Sequence, residues 1–212
     1  EDGAIPEAKR KLTHLQLAKI PVTKPKKIGL FGGSFNPPHV CHTLATIWAL
    51  ETHELDEVWW IPTYKHAFSK DLADFDHRLQ MSRLATTSLQ RVKVSDVERE
   101  IGGRSRTIDT VDCLRDKHPK SQFSLIVGSD ILEQKEDWKE WDRLVSMVDL
   151  VVVGRMGHDS ELPGQPNDFR LPDVNSTQIR EQLEARQLTQ LRFWIASRVL
   201  EYLQEHDLYL EG

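Results

Sequence analysis

Residues 29–42 read "GLFGGSFNPPHVCH". The apolar run at 27–31, "KIGLF", reads as a buried strand. Two glycines follow it, then two prolines, then two histidines three apart. Gly32 and Gly33 are expected to turn the backbone sharply and bring it close to a ligand, with their amides facing an anion. Asn36 is placed to cap the next helix, with Pro37 or Pro38 in its first turn. His39 and His42 then share one face at the positive end of that helix, a setting that suits a phosphate. The same residues also fit a plain Gly-Pro turn with two surface histidines. A metal site of His39, Cys41 and His42 is disfavoured, because on a helix Cys41 points away from the histidine face and no second cluster has zinc spacing. Neither G-x-x-x-x-G-K-[ST] nor G-x-G-x-x-G occurs, so this is a different kind of strand–turn–helix phosphate site.

Outward from this stretch, strands and helices alternate. "HVCHTLATIWALE" (39–51) reads as a helix with Val40, Leu44, Ile47 and Trp48 on one face. "DEVWWIPT" (56–63) is a strand, "FDHRLQMSRLATTSL" (75–89) a helix and "RVKVSDV" (91–97) a strand. "TIDTVDCLRDKH" (107–118) is a helix stopped by Pro119. "QFSLIVG" (122–128), "EWDRLVSM" (140–147) and "DLVVVG" (149–154) follow as strand, short helix and strand. Residues 155–172 lack periodicity and read as loop. "STQIREQLEAR" (176–186) and "LRFWIASRVLEYLQEH" (191–206) close the chain as helices. The alternation predicts a Rossmann-like, doubly wound parallel α/β sheet, one domain over 27–212 with C-terminal helices. Ligands of such sheets lie beyond the carboxyl ends of the strands. Residues 1–26 form an extension of uncertain order, with a short helix around 12–20.

The 212 residues are 39% apolar and 29% charged, with a net charge of −5. That balance is ordinary for a soluble domain and argues against a general nucleic-acid binder. No apolar run is long enough for a membrane span, and no secretory signal is visible. Two cysteines make no disulfide framework, so a reducing cytoplasm is the simpler setting. The residues do not fix the oligomeric state, and a homo-oligomer is left open.

"GGSFNPPHVCH" resembles the GG[ST]FxPxHxGH signature of the nucleotidylyltransferase superfamily. Within it, the chain looks like the nicotinate/nicotinamide mononucleotide adenylyltransferases over about residues 27–205. "PDVNSTQIREQ" (172–182) is similar to that family's ISSTxIR, with Asn175 in place of the usual Ser. Asn175 is an N-cap by its own chemistry, with Val174 and Ile179 as a hydrophobic staple. "LIVGSDILEQKEDW" (125–138) matches a strand, GxD and a following Trp. "VEREIGGRSRTIDTVDCL" (97–114) is similar to ExxxxxxSYTxDTL, with Arg106 where the family has Tyr. In this last segment Thr107 is expected to cap the helix and Asp109 to sit in its first turn. The PPHK stretch common in bacterial nicotinate enzymes is absent from "IPTYKHAFSKDLADF" (61–75).

The resemblance implies adenylyl transfer from ATP to nicotinate mononucleotide, giving nicotinic acid adenine dinucleotide and pyrophosphate. It implies Mg²⁺ carried with ATP and no metal held by protein side chains. It places Gly32, Gly33, Ser34, Phe35, His39, His42, Asp130, Arg155, Ser176, Thr177 and Arg180 around ATP, with His39, His42 and Arg180 catalytic. It places Ser34, Asn36, Lys65, Arg106, Thr107 and Trp138 around the mononucleotide. His66 and Lys70 are further candidates for its phosphate. Nicotinamide mononucleotide as the preferred acceptor is one alternative. Others are pantetheine-phosphate or cytidylyl transfer, and a non-catalytic module that binds NAD or ATP.

Overall fold

The structure is a computed structural model that describes residues 24–65, 72–129, 136–156 and 169–210. The expected helix around 12–20, His66, Lys70, Asp130 and most of the 155–172 loop lie outside the described residues. Six strands form one parallel sheet: β1 (Lys26–Gly33), β2 (Glu57–Pro62), β3 (Val92–Val94), β4 (Ser121–Gly128), β5 (Asp149–Arg155) and β6 (Arg170–Leu171). Their spatial order is β3-β2-β1-β4-β5-β6. Order reverses between β1 and β4, so the connections after these two strands leave to opposite sides. They open a crevice at the carboxyl edge, between Leu30–Gly33 and Leu125–Gly128.

The strands are apolar on both faces because helices cover both. Leu30, Ile61, Leu125, Val127 and Val152 alternate toward a core shared with Ile108, Val111, Leu114 and Leu144. Trp60, Ile126, Val151 and Val153 face the other way, toward Ala45, Ala49, Met81, Leu183, Val199 and Leu203. These residues come from α1 (Val40–Thr52), α2 (Phe75–Thr86), α4 (Thr107–Lys117), α5 (Trp141–Met147), α6 (Ser176–Glu184) and α8 (Ser197–Glu205). Two short helices complete the described chain, α3 (Val97–Ile101) and α7 (Leu188–Leu191).

Several local expectations are corrected. The fully buried residues of α1 are Cys41, Ala45, Thr46, Ala49 and Leu50; of the expected face, Val40, Leu44 and Trp48 pack partly buried against the same core and Ile47 does not. Small side chains let α1 lie close to the sheet, and Ile47 is left 42% exposed. The strand expected through Val97 stops at Val94, and Val97 begins α3. The loop expected at 155–172 contains β6, paired with the end of β5. The single helix expected over 191–206 is broken. Leu191 and Ile195 are both buried there, and the Trp194 carbonyl leaves the helical pattern to accept the Val40 amide at 2.8 Å.

Candidate active site

The crevice at the switch point holds a cavity of about 710 Å³. Its first wall is the end of β1 and the start of α1, with Gly32, Gly33, Ser34, His39 and His42. The turn expected at the two glycines comes later: both still belong to β1, and the left-handed residue is Phe35, at φ +46°. A Cβ at Gly32 would meet no atom within 4 Å, so packing does not demand this glycine. It keeps the cavity wall bare where a ligand approaches. A Cβ at Gly33 would stand 3.3 Å from the Phe35 ring.

Phe35 serves the turn rather than a ligand through its side chain. It is fully buried, stacked on Trp60 at 4.6 Å and 5°, and its centroid is 4.9 Å from that of His42. Trp60 Nε1 donates to Thr46 Oγ1 at 2.7 Å, which in turn donates to the His42 carbonyl at 2.8 Å. The aromatic stack thus holds a non-glycine residue in the left-handed region and backs the His42 ring.

Helix α1 is capped by His39, not by Asn36, and neither proline lies in its first turn. The His39 N–H donates to His42 Nδ1 at 3.1 Å. A nitrogen that accepts carries no proton, so the proton of neutral His42 is on Nε2. Nε2–H is then the donor nitrogen of the ring, and His42 lines the cavity. The two imidazole centroids are 3.9 Å apart. The first amides of α1 are not all available to a ligand: Val40 N–H is spent on the Trp194 carbonyl at 2.8 Å and His42 N–H on the His39 carbonyl at 2.9 Å.

Asn36 misses the cap because it is buried at 1% exposure and committed elsewhere. Its Oδ1 accepts from the Ala73 N–H at 3.0 Å and from the Tyr209 hydroxyl. It does not line the cavity, contrary to the expected mononucleotide contact.

The opposite wall is the start of α4, with Arg104, Ser105, Arg106 and Thr107, together with Trp138. Arg106, not Thr107, is the N-cap of α4, and Thr107 is its first helical residue. Asp109 lies in the first turn and pairs with Lys139 at 3.1 Å. Trp138 meets Trp141 edge to face at 5.6 Å. Lys65 is absent from the cavity lining, yet its backbone is tied to the wall. Ser105 Oγ accepts from the Tyr64 and Lys65 amides at 2.9 and 3.2 Å, and the Ser105 amide donates to the Lys65 carbonyl at 2.9 Å.

Ser176, Thr177 and Arg180 stand behind the first turn rather than in the cavity lining. Ser176 Oγ donates to the Pro37 carbonyl at 2.9 Å, and Arg180 Nη1 to the Asn36 carbonyl at 2.8 Å. Arg180 Nη2 also reaches Thr177 Oγ1 at 3.3 Å. Asn175 caps α6 as expected: its side chain accepts from the Gln178 amide at 3.0 Å, and Gln178 accepts back at 3.2 Å. Val174 and Ile179, the expected staple, are both buried in one core cluster. Arg155 ends β5 at the same sheet edge.

Two buried charges escaped the sequence reading. Arg78 of α2, at 1% exposure, donates to the carbonyls of Ala73 (2.8 Å), Ser34 (3.0 Å) and Tyr64 (3.4 Å). Burial pulls its pKa down, opposed by Tyr209, Glu98 and Asp74. Glu98 of α3 lines the cavity at 8% exposure and accepts the Tyr64 amide at 2.8 Å. Burial pushes its carboxyl up, while hydrogen bonds from Ser105, Tyr64 and Thr110 pull it down. Arg78 sits in a polar helix with no motif around it, whereas Glu98 is the first residue of the ExxxxxxSYTxDTL pattern, the one signal that could have found it.

A doubly wound sheet whose switch-point cavity joins two imidazoles to a bare glycine strand end defines a mononucleotide-binding α/β protein. Comparisons with known proteins agree. The cytidylyltransferase-like family model matches residues 30–182. The *Bacillus subtilis* nicotinate-nucleotide adenylyltransferase is 36% identical over 188 residues, covering 87% of this chain and 98% of that protein. An *Anaeromyxobacter dehalogenans* protein named "Probable nicotinate-nucleotide adenylyltransferase" is 43% identical over 187 residues, 87% of this chain and 97% of that one. In fold, the chain is similar to the *Plasmodium falciparum* nicotinic acid mononucleotide adenylyltransferase solved with NaAD. The TM-score there is 0.74 at 20% identity, over 87% of this chain and 97% of that one. The chain belongs to the cytidylyltransferase-like family and, within it, to the nicotinate-nucleotide adenylyltransferases. Among the described residues no helix is long and apolar enough to cross a membrane.

Proposed function

We propose that the chain transfers the adenylyl group of ATP to nicotinate mononucleotide, giving nicotinic acid adenine dinucleotide and pyrophosphate. The observation that carries this reading is the pairing of His39 and His42 at the end of β1, across one cavity from Arg106, Thr107 and Trp138. One wall suits phosphates, and the other suits a flat ring bearing an anionic group. The names of the relatives support the same reaction.

The acceptor's 5′-phosphate oxygen attacks the α-phosphorus of ATP in line, and the bond to the β-phosphate oxygen breaks. The attacking phosphate is ionised at neutral pH, so no general base is required. Catalysis is then orientation, for about 7–11 kcal/mol, plus stabilisation of developing charge. His42 Nε2–H is the donor on the α- and β-phosphates, with His39 and the Gly32–Gly33 strand end beside it. Ser176, Thr177 and Arg180 hold the leaving pyrophosphate, and the family resemblance assigns Arg155 and Asp130 to ATP as well. Arg180 spends Nη1 on Asn36, which fixes the plane from which its other N–H groups reach the phosphates. Ser34, Arg106, Thr107 and Trp138 hold the mononucleotide, and Lys65 serves its phosphate from the rim.

Among the described residues, no three His, Cys, Asp or Glu side chains converge as a metal cluster. Mg²⁺ would come with ATP, held by phosphate oxygens and water, as the resemblance implies. We place the reaction in the cytoplasm, where Cys41 and Cys113 stay reduced. Pyrophosphate release and product mass, measured with ATP and each mononucleotide, test the proposal. Dinucleotide from the acid form supports it, and no dinucleotide from either form overturns it.

A further inference from the structure

We infer that Tyr209, in the segment after α8, is a positioning residue for the phosphate-binding turn; this rests on the adenylyl-transfer reading above. The turn 34–38 is held by Arg78 on the Ser34 carbonyl and Ser176 on the Pro37 carbonyl, and between them three bonds converge on Asn36. The Asn36 carbonyl accepts from Arg180 at 2.8 Å, and its side-chain oxygen accepts from the Ala73 amide at 3.0 Å and from the Tyr209 hydroxyl. The Ala73 N–H can only donate, which fixes which end of the Asn36 amide faces it. Tyr209 must then be the donor to the same oxygen. One residue, through its backbone carbonyl and its side-chain oxygen, thus joins four segments: the turn, the chain just before α2, the α6 phosphate motif and the C-terminal strap.

The strap is shaped for this contact. After α8 the chain reverses through two left-handed non-glycine residues, Asp207 at φ +49° and Tyr209 at φ +61°. Such residues persist only where surrounding contacts over-determine them. Here Leu208, Tyr209 and Leu210 pack against the core cluster that also contains Phe35. The Leu208 amide bonds to the Leu203 carbonyl at 3.0 Å and ties the reversal back to α8. Burial pushes the Tyr209 phenol up in pKa against the pull of Arg180 and Arg78, so it stays a donor across the working pH range. The consequence is mechanical. With the Tyr209 hydroxyl in place, Asn36 is immobile, and Arg180 and the Ser34 end of the turn share one fixed frame. Without it, Asn36 keeps a single side-chain partner and the frame loosens at the ATP phosphates.

Tyr209→Phe keeps the ring in the core and removes only the hydroxyl. In the full chain, kcat/KM for ATP is expected to fall about 3- to 10-fold, the scale of one neutral hydrogen bond. The KM for the mononucleotide should stay within about twofold. Without substrate, hydrogen exchange at the Ala73 amide should accelerate, together with that at Ser34 and Phe35. A residue that merely holds the fold would lower the melting temperature and leave kcat/KM of the folded fraction unchanged, and that result overturns the inference. Unchanged exchange at Ala73 overturns it too. This second readout needs no turnover, so it stands even if the unmutated chain makes no dinucleotide, a result that would sink the proposed reaction instead.

Discussion

Helices α1 and α6 start with the same device and use it differently. Each begins with a reciprocal pair, the residue at the cap and the residue three further on. In α6 the pair is Asn175 and Gln178, two amides that satisfy each other outside the cavity lining. In α1 the pair is His39 and His42, two imidazoles that line the cavity. In α6 the closing oxygens belong to side chains outside the cavity lining, so their remaining N–H groups do not meet a ligand there. Closing α1 with imidazoles occupies one ring nitrogen of His42 and aims the other. The local cost of ending α1 is thereby turned into orientation of a donor.

The largest effect should follow from breaking the imidazole pair. His42→Ala is expected to fold and to lose at least about a hundredfold in kcat, the scale of one lost charge-stabilising donor. Steady-state turnover beside circular dichroism checks this, and near-normal turnover would remove His42 from the phosphates. Arg180→Ala sharpens the contrast from the α6 side, where the phosphate role falls to a residue one turn past the cap. The KM for ATP should rise roughly 10- to 100-fold, since a hydrogen bond to a charged group is worth about 1.5–3 kcal/mol. A rise in the mononucleotide KM instead would mean the two sites are reversed.

A third helix start, α4, is capped by Arg106 without a side-chain cap bond, so its guanidinium is uncommitted to the helix. Arg106→Ala should shrink the acid-over-amide ratio of specificity constants about tenfold or somewhat more, because about 1.4 kcal/mol is tenfold. An unchanged ratio would hand recognition of the carboxylate to the backbone at 105–107.

How much of this the sequence reveals follows from the same chemistry. Asn175 announces itself, because Asn at a cap is common and Gln178 stands at the matching position. His39 does not, because Asn36 looks the better cap until the Ala73 amide and Tyr209, far away in sequence, claim its oxygen. The parallel sheet is read from alternating apolar runs. β6 and α3 are not, being two and five residues long. The α1 face is read only in part: Val40, Leu44 and Trp48 pack at its margin, whereas its centre is the small Ala45 and Ala49, which large apolar residues overshadow in the sequence. Arg78 and Glu98 are buried partly by partners far along the chain, Ser34 and Tyr64 for Arg78 and Tyr64 and Thr110 for Glu98, and those partners are not read from local periodicity.

At the amino edge of the sheet, Glu57 offers a control without chemistry. Lys26 and Lys93 bond its carboxylate at 2.7 and 3.0 Å, and Trp59 Nε1 at 2.9 Å. Burial alone would raise its pKa, but these bonds outweigh it and lower the value from 4.5 to about 2. A lowered carboxylate stabilises the fold fully above pH 4.5, and the contribution is lost as pH falls toward 2. With both lysines about half exposed, the effect is about 1–2 kcal/mol. Glu57→Gln should lower stability by that amount at neutral pH and flatten the acid limb of a denaturation series, with kcat unchanged. Loss of kcat in the folded variant would mean that the two sheet edges are coupled.

The claim that one cap is catalytic and the other only structural is tested most directly by measuring kcat for His42→Ala and Asn175→Ala together, at equal folded fraction, with ATP and nicotinate mononucleotide. Asn175→Ala should lose about 1 kcal/mol of stability. It should turn over within about twofold of the unmutated chain, while His42→Ala falls at least about a hundredfold. Equal losses in the two variants would contradict the account, since they would make both helix starts either scaffolding or machinery.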